Sequence, residues 1–210
     1  MSALVTFLPE VRPWAPGVPD QVAYKALRNA AVELCERTRM WKWETTVPVL
    51  AAEPATRDVP LPNDADVFDF EVALWDGHEI SPASTRELDE TAAGWRTDLL
   101  GPGQPRYITQ IEPDTLRLVP APMQNGTLYL CLRLKPSQSA ATLPDFLDKY
   151  AGMLGWGALG RLLMTPGQSY TSPELAMAYT ARFTQRLDAM FRTGTIGQQN
   201  ARLRTKSSFY

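Results

Sequence analysis

Residues 20–41 read DQVAYKALRNAAVELCERTRMW, and the spacing within this stretch indicates how the chain begins its fold. Small and apolar residues recur three and four positions apart, and Asp20 is of a type that caps helix N-termini, so we predict an amphipathic helix from Asp20 to about Trp41. Its inward face is expected to contain Ala23, Leu27, Ala30, Leu34, Thr38 and Trp41. The eighteen prolines and thirteen glycines of the chain argue against a pure helical bundle.

The middle of the chain has the pattern of short antiparallel strands rich in β-branched and aromatic residues. Asp76-Gly77 and Asn125-Gly126 are hairpin signals, and the second is expected to join the last two of these strands. Ser84-x-x-Glu87 matches a capping box and predicts a short helix that ends before Gly94. The predicted strands are Thr45–Leu50, Arg57–Leu61, Val67–Trp75, Arg106–Ile111, Thr115–Val119 and Thr127–Leu134.

Two further helices are predicted after this β region. The first runs from Pro144-Asp145 to about Met164. The second starts at Ser172-Pro173-Glu174, which supplies an N-cap, a proline at the first helical position and an acid in the first turn. The apolar stripe of this second helix is expected to be Leu175, Tyr179, Phe183, Leu187 and Met190 or Phe191.

These elements predict an α+β fold in which an antiparallel β-sheet or small barrel is inserted into an antiparallel helical framework. The framework has one N-terminal and two C-terminal helices. We expect an extended N-terminal arm at residues 1–19, a helical domain at 20–43 plus 143–193, an inserted β domain at 44–142 and an extended C-terminal tail at 194–210.

Composition excludes several classes of function. One histidine and two cysteines among 210 residues exclude a His-rich or Cys-rich catalytic or metal site, so we expect no cofactor or metal. Cys35 and Cys131 lie far apart and are expected to be reduced and buried. The longest apolar stretch, Ala151–Met164, is shorter than the roughly 20 residues that span a bilayer, so no membrane partner is expected.

The net charge of −2 conceals an asymmetry. The acidic segment, defined as Glu53–Asp98, contains twelve acidic residues and three arginines, a net charge of −9. After Asp188 there are four basic residues and no acidic one, a net charge of +4. Opposite charges at two places of one chain suit head-to-tail association or a tail that docks on an acidic partner, although a solvated loop and a frayed terminus would have the same composition.

Three motifs have both a functional and a structural interpretation. Gly155-Trp156-Gly157-Ala158-Leu159-Gly160 matches the dinucleotide fingerprint, but no strand precedes it, and close packing of another helix is the favoured interpretation. Asp64-x-Asp66-x-x-Asp69 offers carboxylates to calcium but lacks the EF-hand spacing, which favours a solvated turn. His78 follows a predicted turn and is expected at the surface rather than in a catalytic site.

One run within the first predicted helix reads Ala26-Leu-Arg-Asn-Ala-Ala-Val-Glu-Leu-Cys-Glu-Arg-Thr-Arg-Met-Trp41. It resembles the opening helix of the head-to-tail adaptor (connector) proteins of tailed bacteriophages. Three further runs occur in the family's order, so the resemblance extends over roughly residues 20–190. They are Leu74-Trp75-Asp76-Gly77 before Ile80-Ser81-Pro82, Gly103-x-Pro105-x-Tyr107 leading into Leu116-x-Leu118-x-Pro120-x-Pro122, and Gly157-Ala158-Leu159-x-Arg161-Leu162-Leu163 before Pro166-Gly167.

The resemblance implies a non-enzymatic, structural virion subunit, made in the host cytoplasm, that forms a ring in the neck between capsid and tail. The ring, which is usually a dodecamer in this family, would bind the portal protein and a tail or nozzle protein. It would also continue the channel for double-stranded DNA without reading its sequence. The residues expected to dock on the portal are Arg202, Arg204, Lys206, Phe209 and Tyr210. The alternatives are another neck or tail ring subunit, such as a tail-completion protein, and a nucleotide-using enzyme at Gly155–Gly160.

Overall fold

The computed structural model describes residues 1–51, 56–97 and 99–196, and its α+β architecture confirms the predicted fold class. The contacts divide the chain into two compact units. Met1–Met40 and the chain from Lys135 onward form a helical unit, whereas Trp41–Leu134 form a β unit.

The α-helices and strands have the following bounds. The helices are α1 (Asp20–Thr38), α2 (Thr85–Thr91), α3 (Ala151–Leu162) and α4 (Pro173–Ile196). The strands are β1 (Ser2–Ala3), β2 (Lys42–Val49), β3 (Thr56–Asp58), β4 (Ala65–Trp75), β5 (His78–Glu79), β6 (Ser81–Pro82), β7 (Tyr107–Thr109), β8 (Thr115–Val119), β9 (Gly126–Pro136) and β10 (Thr142–Leu143).

Helices α1, α3 and α4 pack against one another in the helical unit. The inward face of α1 is buried as its spacing predicts, from Ala23 through Leu27 to Thr38. The helix ends at Thr38 and not at the predicted Trp41, because Arg39 adopts a left-handed backbone with φ of 53°. The Arg39 N–H donates to the Cys35 carbonyl at 2.8 Å, which closes the last turn.

The N-terminal segment is folded, which corrects the prediction of an extended arm at residues 1–19. β1 pairs antiparallel with β10, and Leu4–Glu10 form a 3-10 helix that packs against α1 and α3. Phe7, Leu8 and Val11 are buried in this packing. The prolines of the segment suggested an extended chain, but the apolar residues between them pack against α1 and α3.

The two C-terminal helices differ from prediction at their ends. Asp145–Tyr150 form a 3-10 helix before α3 begins, where one continuous helix was predicted. α4 continues to Ile196 and so extends into the region predicted as tail. Tyr179, Phe183, Leu187 and Met190 are buried, but Leu175 is exposed and Ala176 is buried instead.

The β unit consists of open sheets. The described strands form no closed barrel. One sheet has the order β2-β9-β4-β5 and the other the order β3-β8-β7-β6. β6 and β7 are parallel, so the second sheet is mixed rather than purely antiparallel. Every second residue of β9 is buried in the core, namely Leu128, Leu130, Leu132 and Leu134.

The two predicted hairpin turns have different outcomes. Asp76 and Gly77 both have positive φ, 45° and 82°, and they join β4 to β5 with Trp75 opposite His78. The hairpin predicted at Asn125-Gly126 is wrong, because β8 pairs with β3 and β7 whereas β9 pairs with β2. Gly126 is the first residue of β9, and a Cβ there would overlap the Trp75 ring.

Two smaller predictions are confirmed. The Ser84 hydroxyl accepts a hydrogen bond from the Glu87 backbone N–H at 3.2 Å, which caps α2 as the capping-box pattern predicts. Cys35 and Cys131 are free and buried. Burial raises the pKa of both thiols, that of Cys131 to about 11, so both are protonated at neutral pH.

Candidate assembly surfaces

The five residues assigned to portal binding lie outside the described residues. Arg202, Arg204, Lys206, Phe209 and Tyr210 follow α4, whose last residue is Ile196. The assignment of these residues to portal binding therefore stays a prediction. α4 is the last described element before them in the chain.

The glycine run Gly155–Gly160 lies inside α3 and serves helix packing. A 3-10 helix precedes α3, so the strand-turn-helix arrangement of a dinucleotide site is not formed there. A Cβ on Gly155 would lie 2.7 Å from the Glu10 Cβ, and one on Gly157 would lie 2.8 Å from the Ala30 Cβ. The glycines let neighbouring segments approach α3 closely, as the structural interpretation of the motif predicted.

A groove of about 270 Å³ lies beside α3 and α4 in the helical unit. Trp156 is half-buried in it, and Arg182 and Arg186 are exposed along one side, one turn apart on α4. Gln185 and Ala189 complete the lining. We name this surface the arginine groove; the sequence analysis missed it, although two arginines four residues apart on a predicted helix were a visible signal.

Other arginines of the helical unit have carboxylate partners. Arg37 bonds to Asp188 at 2.5 Å, and Arg161 bonds to Glu33 at 2.6 Å. Arg12 donates to both oxygens of Asp20, at 2.8 and 3.1 Å. In contrast, Arg182 and Arg186 form no ion pair with a described residue.

Several carboxylates of the acidic segment are hydrogen-bonded within the β unit, and Asp89 is the first of these. Asp89 accepts hydrogen bonds from the Arg96 guanidinium at 2.8 and 2.9 Å and from the Trp95 indole N–H at 2.9 Å. These bonds, first that of Arg96 and then that of Trp95, lower the pKa of Asp89 to about 2. Arg117 also lies over the Trp95 ring, 5.3 Å from its centroid. This cluster fixes the chain around the buried Trp95.

Other carboxylates of the acidic segment stay available at the surface. Asp58, Glu79 and Glu87 have exposed side chains, on β3, β5 and α2 respectively. Their carboxylates form no ion pair with a described residue. The β unit therefore presents negative charge that its described residues do not neutralise.

One face of the first sheet has a further ionic cluster. Glu71 on β4 accepts from Arg133 at 2.9 Å, from Lys42 at 3.2 Å and from the Cys131 thiol at 3.3 Å. Burial opposes the charge of Glu71, but the bonds from Cys131 and Lys42 and the charge of Arg133 outweigh it and lower the pKa of Glu71. Arg133 is itself buried, so this cluster holds the sheet together rather than offering a free surface.

The remaining motif residues do not converge on a catalytic or metal centre within the described residues. His78 is exposed on β5, beside a cleft of about 340 Å³ that Trp75, Met123 and Asn125 also line. Among the described residues, no group of three or more His, Cys, Asp or Glu side chains is placed to hold a metal ion, and this includes Asp64, Asp66 and Asp69. The described helices include none with the length and apolarity to cross a membrane.

A comparison with known protein families identifies the chain. The family model described as SU10 adaptor protein matches residues 3–206 of the 210. No curated protein matches the chain. Because the family match covers nearly the whole chain, including both units and the glycine-containing helix α3, the chain belongs to the SU10 adaptor protein family and is a structural protein of a bacteriophage.

Proposed function

We propose that this protein forms the head-to-tail adaptor ring, which connects the portal to the tail and continues the DNA channel. The observation that supports this proposal is the match to an adaptor family over residues 3–206. The ring is a homo-oligomer, proposed as a dodecamer, located in the neck of the virion. Its partners are the portal protein on one side and a tail or nozzle protein on the other.

The charge distribution agrees with a ring. A ring is closed by heterologous contacts, in which one surface of a subunit meets a different surface of the next. The acidic segment and the basic residues that follow Asp188 provide two unlike surfaces on each subunit. DNA passing through such a channel meets its wall transiently, and no base-specific contact is expected.

The C-terminal segment is proposed to bind the portal. Arg202, Arg204 and Lys206 offer positive charge, and Phe209 and Tyr210 offer apolar contact area of the kind that dominates interface energies. The tail would thus combine charge attraction with two aromatic anchors.

Truncation tests the portal proposal directly. A chain that ends at Gln199 is expected to leave portals without adaptor, because it lacks all five proposed contacts. Purified capsids would be counted for adaptor and tail by negative-stain microscopy and by gel analysis. Two full-length variants separate the contributions: one replaces the three basic residues with Gln, and the other replaces the two aromatic residues with Ser. Capsids that acquire tails with the truncated chain would refute portal docking by this segment.

The ring itself has a separate test. Negative-stain images of portal complexes with the wild-type chain should show a ring attached below the portal. A chain that binds nucleotide saturably as a monomer and never appears on portals would instead favour the enzyme alternative. A ring found at a different level of the neck or tail would favour a tail-completion protein.

A further inference from the structure

The arginine groove concentrates positive charge that no described residue of the helical unit compensates. Arg182 and Arg186 are four residues apart on α4, and like charges at this spacing oppose helix formation. The nearest acid in sequence, Asp188, is already bonded to Arg37. A helix that retains two unneutralised guanidinium groups beside each other gains most from an anionic partner at this position.

The groove has the shape and chemistry to hold carboxylates. Guanidinium groups bind carboxylates with two parallel hydrogen bonds. The half-buried Trp156 and the small Ala189 line the groove together with the two arginines. An ion pair that is partly shielded from water is stronger than one on an open surface.

The β unit carries groups of the opposite charge. The acidic segment has a net charge of −9, and Asp58, Glu79 and Glu87, which lie on three separate elements (β3, β5 and α2), are exposed carboxylates without an ion-pair partner among the described residues. In a ring every subunit carries both the arginine groove and the acidic segment. The same contact, repeated between neighbours, would therefore pair every groove with an acidic segment.

We propose that the arginine groove of one subunit binds the acidic segment of the neighbouring subunit, with Arg182 and Arg186 pairing to carboxylates of the set Asp58, Glu79 and Glu87. This inference rests on the proposed function, because it requires a ring of this chain. It adds to that function the contact that joins adjacent subunits. This contact would determine which face of one subunit meets the next. Charge complementarity of this kind also gives the contact its direction, since two grooves or two acidic segments would repel.

Charge reversal in trans tests the contact. The variant R182E/R186E is expected to reduce the number of ring-bearing portals at least tenfold, and so is the variant D58K/E79K/E87K, because each loses the pairing on one side. Coexpression of the two variants is expected to restore rings, because the two variants can alternate around the ring. The reversed groove of one variant then meets the reversed acidic segment of the other, and the native groove meets the native acidic segment. Rings on purified portal complexes would be counted by negative-stain microscopy.

The matched control is K25E/K149E, which reverses two exposed lysines of the same helical unit outside the groove and should leave ring yield at the wild-type level. Circular dichroism and thermal unfolding of each purified variant check that the exposed substitutions leave the fold intact.

The outcomes separate the inference from the proposed function. Two results would overturn the proposed contact without contradicting the proposed function. One is a wild-type yield of rings with R182E/R186E, and the other is a loss of rings that coexpression does not restore. The second result would assign the groove to the portal or to DNA. Absence of rings with the wild-type chain itself would instead count against the proposed function.

Discussion

Gly157 lies where α3 touches two other helices at once. A Cβ at this position would be 2.8 Å from the Ala30 Cβ on α1 and 3.0 Å from the Phe183 ring on α4. Ala30 is short and fixed on its helix backbone, and Phe183 is buried, so neither neighbour can move aside without disturbing the core. The absence of a side chain at residue 157 therefore sets how closely the three helices pack.

Gly157→Ala is expected to lower the free energy of unfolding by about 1–2 kcal/mol, because overpacking outweighs the higher helix propensity of alanine. Gly152→Ala, in the same helix, is the matched control. Its Cβ would meet only the mobile carboxylate end of Glu10, at 3.7 Å, so a gain of about 0.5–1 kcal/mol is expected. Urea unfolding of both variants measures the difference; equal stability of the two would show that helix packing at residue 157 is looser than described.

Asp89 gives the β unit a pH-dependent contribution to stability. Its pKa is lowered to about 2 in the folded protein, against about 3.9 for an unperturbed aspartate. A lowered pKa means that the stabilisation is complete above pH 4 and is lost as the pH falls from about 4 towards 2. Asp89→Asn is expected to flatten the fall in stability in this pH window, measured by urea unfolding followed by tryptophan fluorescence. The control is Glu79→Gln on β5, an exposed carboxylate without an ion pair to a described residue, which should keep the wild-type profile.

At the scale of elements, the two Gly-containing turns show what local sequence can and cannot predict. Asp76-Gly77 forms its hairpin because both residues accept positive φ and the strands on either side are adjacent in space. Asn125-Gly126 has the same local preference, but β8 and β9 belong to different sheets. The partners of a strand are decided by long-range packing, such as that of Gly126 against Trp75, which no pair of turn residues encodes.

The cap of α2 is a local feature that sequence predicts well, and its contribution can be measured. Ser84→Ala removes the acceptor of the Glu87 N–H and is expected to destabilise the β unit by about 0.5–2 kcal/mol. Ser84→Asp keeps an oxygen acceptor at the cap and should stay within a few tenths of a kcal/mol of wild type. Thermal unfolding compares the three chains; an Ser84→Ala variant as stable as wild type would show that α2 does not depend on its cap.

At the scale of the whole molecule, the order of helices and strands was predictable and the surfaces were not. Hydrophobic spacing is local, so it predicted α1, α4 and most strands of the β unit. The N-terminal 3-10 helix was not predicted because its burial depends on packing against α1 and also against α3, which is distant in sequence. The arginine groove needs Trp156 from α3 beside Arg182 from α4, and only the folded helical unit brings them together.

The insertion of the β unit between α1 and α3 also determines the order of events during synthesis. α1 ends at Thr38, but α3, against which it packs, begins at Ala151 and leaves the ribosome on the order of ten seconds later. Throughout that interval the apolar face of α1, with Leu27 and Leu34, has neither α3 nor α4 to cover it, while β2 to β9 emerge in sequence and can pair. We therefore expect the nascent chain to complete its β unit first, and the core between α1, α3 and α4 to form only after the final third of the polypeptide has been synthesised.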